Sequence, residues 1–282
     1  MQVCKCKVEG RGFIGLCLLV GLGLFGFLSH ADACSVVYYI DKHSGKIYVV
    51  NNEDYWYDVD AYIRILPASG KHLARLWYGW DNFAQGGVNE AGLFFDGAVT
   101  PEQKVPDGYG SPKSNLGDEI LRSCHTVEEA LDFLEQKKIA LSNAHMMIGD
   151  STGNAVVLEW LDGQRKISAV SNNKLIMTNF LLADTSQGSF PCRRYESIES
   201  RIAQLEESDE PATIKSVGNA MGGAVQLPGT DKSGRVGGTL YTTFINISDM
   251  EFVLVYKLDN QKLTRLDLTT EFAHKRKRKI KL

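Results

Sequence analysis

The sequence lacks the features that mark several classes of protein. Its formal net charge is −3 at pH 7, which does not favour a nucleic-acid-binding protein. Its six histidines show no metal-ligand spacing, so we expect neither a metal nor a cofactor. No internal repeat or low-complexity linker interrupts the chain, and 44% of its residues are hydrophobic, an ordinary fraction for a globular protein. We therefore expect one continuous domain over residues 34–282.

The chain has only one long hydrophobic run. It covers 16 residues, Phe13 to Leu28, a little short for a membrane span, and three basic residues precede it. The sequence Ala31-Asp32-Ala33 then supplies the small-residue pattern that signal peptidase cleaves. This arrangement predicts a signal peptide over residues 1–33, removed after Ala33. The mature protein should have no transmembrane segment and should be secreted or periplasmic.

Cysteines are few in the predicted mature chain, which keeps only Cys34, Cys124 and Cys192. An odd number leaves at least one thiol unpaired in an exported protein, and the sequence does not decide whether Cys124 and Cys192 form a disulfide. Cleavage after Ala33 would make Cys34 the first residue, with a thiol and an α-amino group of pKa about 7.7–8.0 in one residue. Such an N-terminal nucleophile carries its own base. Cys34 alone is equally compatible with a small buried residue, a disulfide partner or a lipidation site.

The strand-like runs occur in clusters and do not alternate regularly with helices, which predicts an α+β fold with antiparallel sheets. "CSVVYYI" and "KIYVVNNED" are joined by a turn-like segment and predict a hairpin. Three helices are predicted, in "HTVEEALDFLEQKK", with Thr126 and Glu129 at capping-box spacing, in "CRRYESIESRIAQLEE", and in "EPATIKSVGNAM", with Pro211 in its first turn. The glycines and Asn89 of "QGGVNEAGL" are interpreted as a turn.

Five short motifs occur in a recognisable order: C-S-V-V-Y, V-V-N-N-E-D-Y-W, Q-G-G-V-N-E-A-G-L-F-F, M-T-N-F and C-R-R-Y. In this order the chain resembles the N-terminal nucleophile hydrolases of the choloylglycine hydrolase and penicillin V acylase type. It is also similar to their relatives, the acid ceramidases and the fungal penicillin acyltransferase. The resemblance extends over most of residues 34–260. It implies a four-layer αββα sandwich and hydrolysis of a linear, non-peptide C–N amide bond.

The resemblance also assigns site residues. Cys34 matches the nucleophile, Asp54 matches the acidic residue that contacts the nucleophile's α-amino group, and Asn179 matches an asparagine that is an oxyanion-hole candidate. Arg193 or Arg194 stands where the family often has an arginine. On the residues alone, Asn179 is equally a turn residue at the end of a strand, and the two arginines are residues of a first helical turn.

The chain departs from the family's pattern in two places. The family commonly has an arginine three residues before its aspartate, where this chain has Asn51, so a charge that lowers the pKa of the thiol must come from elsewhere or be absent. Arg235 is a weaker candidate than Arg193 or Arg194 for the family's other arginine. Bile-salt hydrolases also have an asparagine near the position of Val99, so the resemblance does not extend to that activity in detail. A calcium site at Asp54, Asp58 and Asp60 is disfavoured because EF-hand spacing and its glycine are missing.

Aromatic residues are the only hint about the substrate. Such residues are mostly core or cross-strand pairs. Where they line a pocket they hold an apolar or aromatic acyl group, and we expect Trp56, Trp80 and Phe95 to do so. The expected partner is therefore a small N-acyl amide, and the sequence does not distinguish a monomer from a homo-oligomer.

We thus expect an exported cysteine amidohydrolase that forms a thioester with its substrate. Two alternatives remain. In the first, Cys34 is lipidated and the domain is a lipid-anchored binding module, although Ala31 and Asp32 fit a lipoprotein signal poorly. In the second, the chain is a non-catalytic relative that binds acyl ligands. The basic run "HKRKRKIKL" at the C-terminus is interpreted as a solvated, frayed tail.

Overall fold

Two antiparallel β-sheets form the centre of the molecule in a computed structural model that describes residues 34–282. The first sheet has the order β10-β1-β2-β12-β13-β14, with β11 paired to β12. Its strands are β1 (Ser35–Ile40), β2 (Ile47–Trp56), β10 (Lys174–Met177), β11 (Gly229–Thr230), β12 (Val236–Asn246), β13 (Glu251–Tyr256) and β14 (Asp259–Asp267).

The second sheet has eight strands in the order β15-β3-β4-β5-β6-β7-β8-β9. They are β3 (Tyr62–Leu66), β4 (Arg75–Trp80), β5 (Phe83–Asn89), β6 (Phe94–Val99), β7 (Ala144–Gly149), β8 (Ala155–Leu161), β9 (Gln164–Ala169) and β15 (Arg278–Lys281).

Helices cover the outer face of each sheet. Helices α1 (Leu116–Ser123) and α2 (Val127–Gln136) pack on the second sheet, whereas α3 (Arg193–Glu206) and α4 (Ile214–Met221) pack on the first. A fifth helix, α5 (Leu268–Ala273), follows β14. The layers are therefore helix, sheet, sheet, helix, and the predicted αββα sandwich is confirmed.

Residue alternation along β2 shows how the layers are held together. Ile47 and Val49 belong to the core between the two sheets, whereas Tyr48 and Val50 belong to the core between the first sheet and its helices. Successive side chains of a strand point to opposite faces, so a strand buried on both faces is hydrophobic at almost every position. The predicted β1–β2 hairpin is confirmed, with Ser35 opposite Asn52 and Ile40 opposite Ile47.

One local prediction was right only in part and another was wrong. The stretch interpreted as a turn does end in one, because Asn89 Oδ1 accepts from the Ala91 and Leu93 N–H groups and Gly92 has a φ of +81°. Its first half belongs to strand β5, where a side chain at Gly86 would collide with Asp96 Oδ2 and the Tyr78 hydroxyl. Pro211 does not occupy the first turn of α4, which begins at Ile214 with Thr213 as its N-cap.

The basic C-terminal run is not frayed. Its residues are largely exposed, as expected, but Arg278–Lys281 form β15 and pair with β3 at the edge of the second sheet. Lys279 Nζ lies 3.6 Å from the centre of the Tyr62 ring, which is a cation–π contact. Positive charges on an edge strand discourage pairing with another chain, so the run closes this edge of the sheet.

The described residues also bear on the cysteines and on membrane association. Cys34, Cys124 and Cys192 are all buried thiols, so Cys124 and Cys192 do not form a disulfide with each other. No helix within residues 34–282 is long and apolar enough to cross a membrane. The predicted signal peptide and its cleavage site lie outside the described residues.

Candidate active site

Cys34 lies immediately before β1, lines a cavity of about 440 Å³ and is only 5% exposed. Strand β1 runs between β2 and β10, where Ser35 is opposite Asn52 and Val36 is opposite Met177. Continued past the ends of the strands, the same registers place Glu53 on one side of Cys34 and Asn179 on the other. The sheet therefore brings residues from three separate parts of the chain to the thiol.

Glu53 is the carboxyl group in contact with the thiol. Cys34 Sγ donates a hydrogen bond to Glu53 Oε1 at 3.3 Å. Glu53 shares the face of β2 that lies between the sheets with Ile47 and Val49, and Cys34 shares that face of the sheet with Val36. Glu53 is not among the site residues predicted from the sequence, although the register of the β1–β2 hairpin indicates that it lies opposite Cys34.

Asp54 points to the opposite face of β2, towards helix α3. Thr239 Oγ1 donates a hydrogen bond to Asp54 Oδ1 at 2.5 Å, and Arg194 Nη1 lies 3.7 Å from Oδ2. Burial raises the pKa of Asp54 to about 8, while the Thr239 hydrogen bond and the Arg194 charge act in the other direction. The charge of Asp54 therefore depends on cations close to it, such as Arg194.

Arg194 is the arginine that the fold brings to the site. Its Nη1 donates to the Cys34 carbonyl oxygen at 2.8 Å and to Ser35 Oγ at 3.0 Å, and its Nη2 donates to Asn179 Oδ1 at 2.7 Å. The planar guanidinium group can hold several acceptors at once in this way. Arg193, the adjacent residue of α3, is exposed on the helix surface. Arg235 lies at the surface too, paired with Asp58 through contacts of 2.7 and 2.8 Å.

Asn179 is held on both ends of its side chain. Its Oδ1 accepts from Arg194, and its Nδ2 donates to the Val99 carbonyl oxygen at 2.8 Å. Val99, singled out in the sequence as a departure from the bile-salt hydrolases, thus contributes its backbone to the site. The amide group of Asn179 is fixed next to the residue that carries the thiol.

A buried histidine supports the segment that contains Asn179. His145 Nε2 lies 2.6 Å from the Thr178 carbonyl oxygen, and Nδ1 lies 2.8 Å from Glu159 Oε1. Each ring nitrogen thus faces an oxygen atom, and the ring bridges strand β8 and the backbone of Thr178. Glu159 also accepts from the backbone N–H groups of Leu182 and Ala183, each at 2.8 Å. We call His145 and Glu159 the clamp of segment 178–183. His125, in contrast, is exposed beside Glu129.

The surroundings of the thiol are acidic. Burial raises the pKa of Cys34 well above its usual range, and the negative charges of Glu53, Asp54 and Asp96 raise it further. A hydrogen bond from the backbone N–H of Asp54 opposes these effects. Cations lower the pKa of a cysteine and carboxylates raise it, so a positive charge near the thiol would favour the thiolate.

The walls of the cavity are largely apolar. Trp80 and Phe95, two of the three predicted substrate-binding residues, line it. The Trp80 ring stacks on Tyr55 with centroids 4.4 Å apart, and Gly117 of α1 lets the Phe95 ring approach the helix closely. Trp56, the third predicted residue, lies under the Arg235 guanidinium at 4.6 Å. The structure thus places Trp80 and Phe95 at the cavity and Trp56 beside a surface ion pair.

Metal ligation has no support in the part of the chain that the structure describes. Within residues 34–282 no group of three His, Cys, Asp or Glu side chains is arranged to hold a metal ion. Asp54 and Asp58, considered above for calcium, point to a buried threonine and to Arg235 respectively.

Comparison with known proteins gives consistent matches. The sequence model of the family described as acyl-coenzyme A:6-aminopenicillanic acid acyl-transferase matches residues 40–261. The penicillin V acylase of Pectobacterium atrosepticum is 25% identical over 164 residues, which cover 52% of this chain and 37% of that protein. The alignment therefore spans little more than a third of this curated relative.

Solved structures match over more of the chain. The penicillin V acylase from Agrobacterium tumefaciens has a TM-score of 0.65 at 20% identity and covers 84% of this chain and 86% of its own. A variant of the conjugated bile acid hydrolase from Clostridium perfringens has a TM-score of 0.72 at 16% identity and covers 88% and 97%. These likenesses establish the shared αββα fold. The family match over residues 40–261 shows that the chain belongs to the family described as acyl-coenzyme A:6-aminopenicillanic acid acyl-transferase.

Proposed function

We propose that this protein is an exported hydrolase that cleaves a linear, non-peptide C–N amide bond through Cys34 as its N-terminal residue. One observation carries the proposal: Arg194 joins the backbone of Cys34, which lines a largely apolar cavity, to Asn179, whose side chain contacts Val99 in the wall of that cavity. A nucleophile, an amide group for an oxyanion and a place for an acyl chain are therefore adjacent. The predicted signal peptide supplies the N-terminal position of the thiol.

Acylation starts when the thiol of Cys34 loses its proton to a nearby base. The resemblance assigns this base to the α-amino group of Cys34, beside Asp54. The thiolate attacks the amide carbonyl carbon, and the carbonyl oxygen becomes an oxyanion. Asn179 and a backbone N–H stabilise this charge, which exists only in the tetrahedral state. The amine then leaves, and water releases the acyl group from the thioester.

The substrate class follows from the cavity and from the relatives' names. The cavity wall presents Tyr55, Trp80, Phe83 and Phe95, which suit an apolar or aromatic acyl group. The similar proteins are called penicillin V acylase and conjugated bile acid hydrolase. We therefore propose N-acyl amides such as phenoxyacetyl, fatty-acyl or acyl-homoserine compounds as substrates, cleaved in preference to peptides.

The test compares protein beginning at Cys34 with protein that retains Ala33, each verified by mass. Retaining Ala33 turns the α-amino group into an amide, which can neither accept a proton nor carry a positive charge at neutral pH. We expect the Ala33 form to be folded, with a similar melting temperature, but to release amine from penicillin V at less than about 1% of the rate, since acid–base catalysis contributes roughly 10²–10⁴-fold. Cys34→Ala should form no acyl-enzyme. Equal rates with and without Ala33 would refute the N-terminal mechanism.

A second candidate function is a non-catalytic, acyl-ligand-binding relative, in soluble or lipid-anchored form. The observation in its favour is the acidic environment of Cys34, where Asn51 replaces the family's arginine and three carboxyl groups raise the thiol's pKa. This candidate predicts ligand binding without amine release. Its lipid-anchored form further predicts a diacylglycerol mass on Cys34 in protein from the native host.

A further inference from the structure

Three carboxyl groups surround the Cys34 thiol, and the mechanism above uses only Asp54. The other two are Glu53 and Asp96, whose charges both act on the thiol. Glu53 is the one in contact with sulfur, at 3.3 Å between Sγ and Oε1. The thiol proton therefore already lies on a hydrogen bond to a carboxylate.

The strands fix Glu53 in this position. It is 4% exposed and projects from β2 into the space between the two sheets. Asn51, two residues earlier on the same face, places its Nδ2 3.5 Å from Glu53 Oε2. A side chain confined in this way keeps one oxygen on the thiol, and Glu53 also lines the cavity that would hold the substrate.

Asp96 approaches from the second sheet and is fully buried. The Tyr78 hydroxyl donates to Asp96 Oδ2 at 2.7 Å, and the Gly97 N–H donates to Oδ1 at 2.9 Å. Burial raises the pKa of Asp96 well above its usual range, and the nearby charge of Glu53 raises it further. The Tyr78 and Gly97 donors hold Asp96 in place behind Glu53, and burial together with the nearby Glu53 disfavours a second full negative charge there.

We propose that Glu53 is a catalytic residue that accepts the Cys34 thiol proton and returns it to the leaving amine, with Asp96 as a positioning residue behind it. This inference rests on the proposed amidohydrolase function and names the group that moves the proton. Glu53 thus takes the place of the α-amino group as the base for the thiol. The α-amino group instead acts as an ammonium ion that offsets the buried carboxylates, so its conversion to an amide should still abolish turnover.

The proton and electron pairs balance in each step. In acylation the S–H bond breaks and an O–H bond forms on Glu53, while sulfur bonds to the carbonyl carbon. When the tetrahedral state collapses, the Glu53 proton moves to the amine nitrogen and the C–N bond breaks. In deacylation Glu53 takes a proton from water, the hydroxide oxygen bonds to the acyl carbon, the C–S bond breaks, and sulfur regains the proton.

The experiment uses Glu53→Gln in protein that begins at Cys34. Three rates are measured at pH 7: alkylation of Cys34 by iodoacetamide, hydrolysis of a phenoxyacetyl amide, and hydrolysis of the p-nitrophenyl ester with the same acyl group. Alkylation needs the thiolate but no proton for the leaving group. The amide needs a proton on its leaving nitrogen, whereas p-nitrophenolate leaves without one.

We expect Glu53→Gln to be alkylated at least as fast as the wild type, because a negative charge next to the thiol has gone. Its amide hydrolysis should fall by about 10²-fold or more, the scale of acid–base catalysis, and its ester hydrolysis by less than about tenfold. A purely structural role would lower all three rates together with the melting temperature. An unchanged ratio of amide to ester hydrolysis would overturn the proposal.

Matched variants separate the remaining outcomes. Asp41→Asn removes another buried carboxylate at the turn end of the same hairpin, where Asp41 accepts from Ser44, and should keep the wild-type ratio. Asp96→Ala should lower the ratio and Asp96→Asn should restore it, since Asn fills the same space and its side-chain oxygen can still accept from the Gly97 N–H. If Glu53→Gln does not fold, Glu53→Asp tests the same contact by shortening the side chain.

The wild type separates failure of this inference from failure of the proposed function. A wild type that cleaves no amide would reject the proposed function itself. An active wild type with an unchanged ratio of amide to ester hydrolysis in these variants would reject only the role of Glu53.

Discussion

Two adjacent arginines at the start of α3 have different environments. Arg194 contacts the Cys34 carbonyl oxygen, Ser35 and Asn179, whereas Arg193 is exposed. Adjacent helical residues are about 100° apart around the axis, so only one of the two can face the sheet. The contacts of Arg194 tie the nucleophile's backbone to the oxyanion candidate, which makes the relative position of the two groups depend on one side chain.

We predict that Arg194→Lys lowers kcat by about 10²-fold, the scale of losing one oxyanion donor, with a smaller change in KM. Lysine keeps the charge but cannot bind three acceptors in one plane. Arg193→Lys is the matched control and should stay within about twofold of the wild type. Steady-state kinetics of both variants on one amide substrate checks the prediction, and an equal loss in both would contradict it.

At the scale of elements, the site depends on what lies on either side of β1. The β1–β2 hairpin and its antiparallel pairing could be predicted because apolar residues and a turn-like segment mark it. The same register indicated that Glu53 lies opposite Cys34, but the resemblance drew attention to Asp54, which points to the other face. Strand β5 could not be predicted, since the need for Gly86 comes from Tyr78 and Asp96 on neighbouring strands. The pairing of Arg194 with Asn179 is likewise a tertiary contact between separate segments.

Two buried polar side chains, His145 and Glu159, hold segment 178–183 in place. The clamp holds it at both ends, through the Thr178 carbonyl oxygen and the N–H groups of Leu182 and Ala183. Asn179 lies between these contacts. The clamp therefore acts on Asn179 through the backbone of the segment. Stability and turnover should therefore respond together when the clamp is broken.

We predict that His145→Leu lowers the free energy of unfolding by about 2–4 kcal/mol, because two buried acceptors lose their donors. It should also lower kcat, since the segment that holds Asn179 is loosened. His125→Leu is the control: His125 is exposed, and its loss should change stability by no more than about 0.5 kcal/mol. Urea denaturation and kinetics of both variants provide the measurement, and wild-type kcat in His145→Leu would show that the clamp does not position Asn179.

At the scale of the whole molecule, the sandwich buries acidic groups where it should be most apolar. Asp96 lies between the sheets within an otherwise apolar strand, and a charged residue in such a run is itself a sequence signal for a partnered or functional group. Cleavage after Ala33 would place an ammonium ion next to these groups. The predicted processing step therefore changes the charge balance of the core, and its effect should be visible in the stability of the entire fold.

The sign of this effect follows from Asp54. In protein that retains Ala33 the nitrogen of Cys34 is neutral, and the pKa of Asp54 is raised to about 8 from about 3.9 in the unfolded chain. Between pH 4 and pH 8 the folded state therefore binds more protons than the unfolded state. The contribution of Asp54 to the free energy of unfolding is greatest below pH 4 and falls as the pH rises to 8. The slope is at most about 1.4 kcal/mol per pH unit for one proton. In protein that begins at Cys34, the ammonium ion favours the ionised carboxylate, lowers the pKa of Asp54 and reduces the slope.

We therefore predict that the free energy of unfolding falls more steeply from pH 5 to pH 8 in the Ala33 form than in the form that begins at Cys34. Asp54→Asn should flatten the curve of the Ala33 form and have less effect on that of the processed form, because the amide does not titrate. Urea denaturation of the four proteins at pH 5, 6.5 and 8 measures the slopes. Parallel curves for the two wild-type forms would mean that the α-amino group does not reach Asp54, and the assignment of Asp54 as its partner would then be wrong.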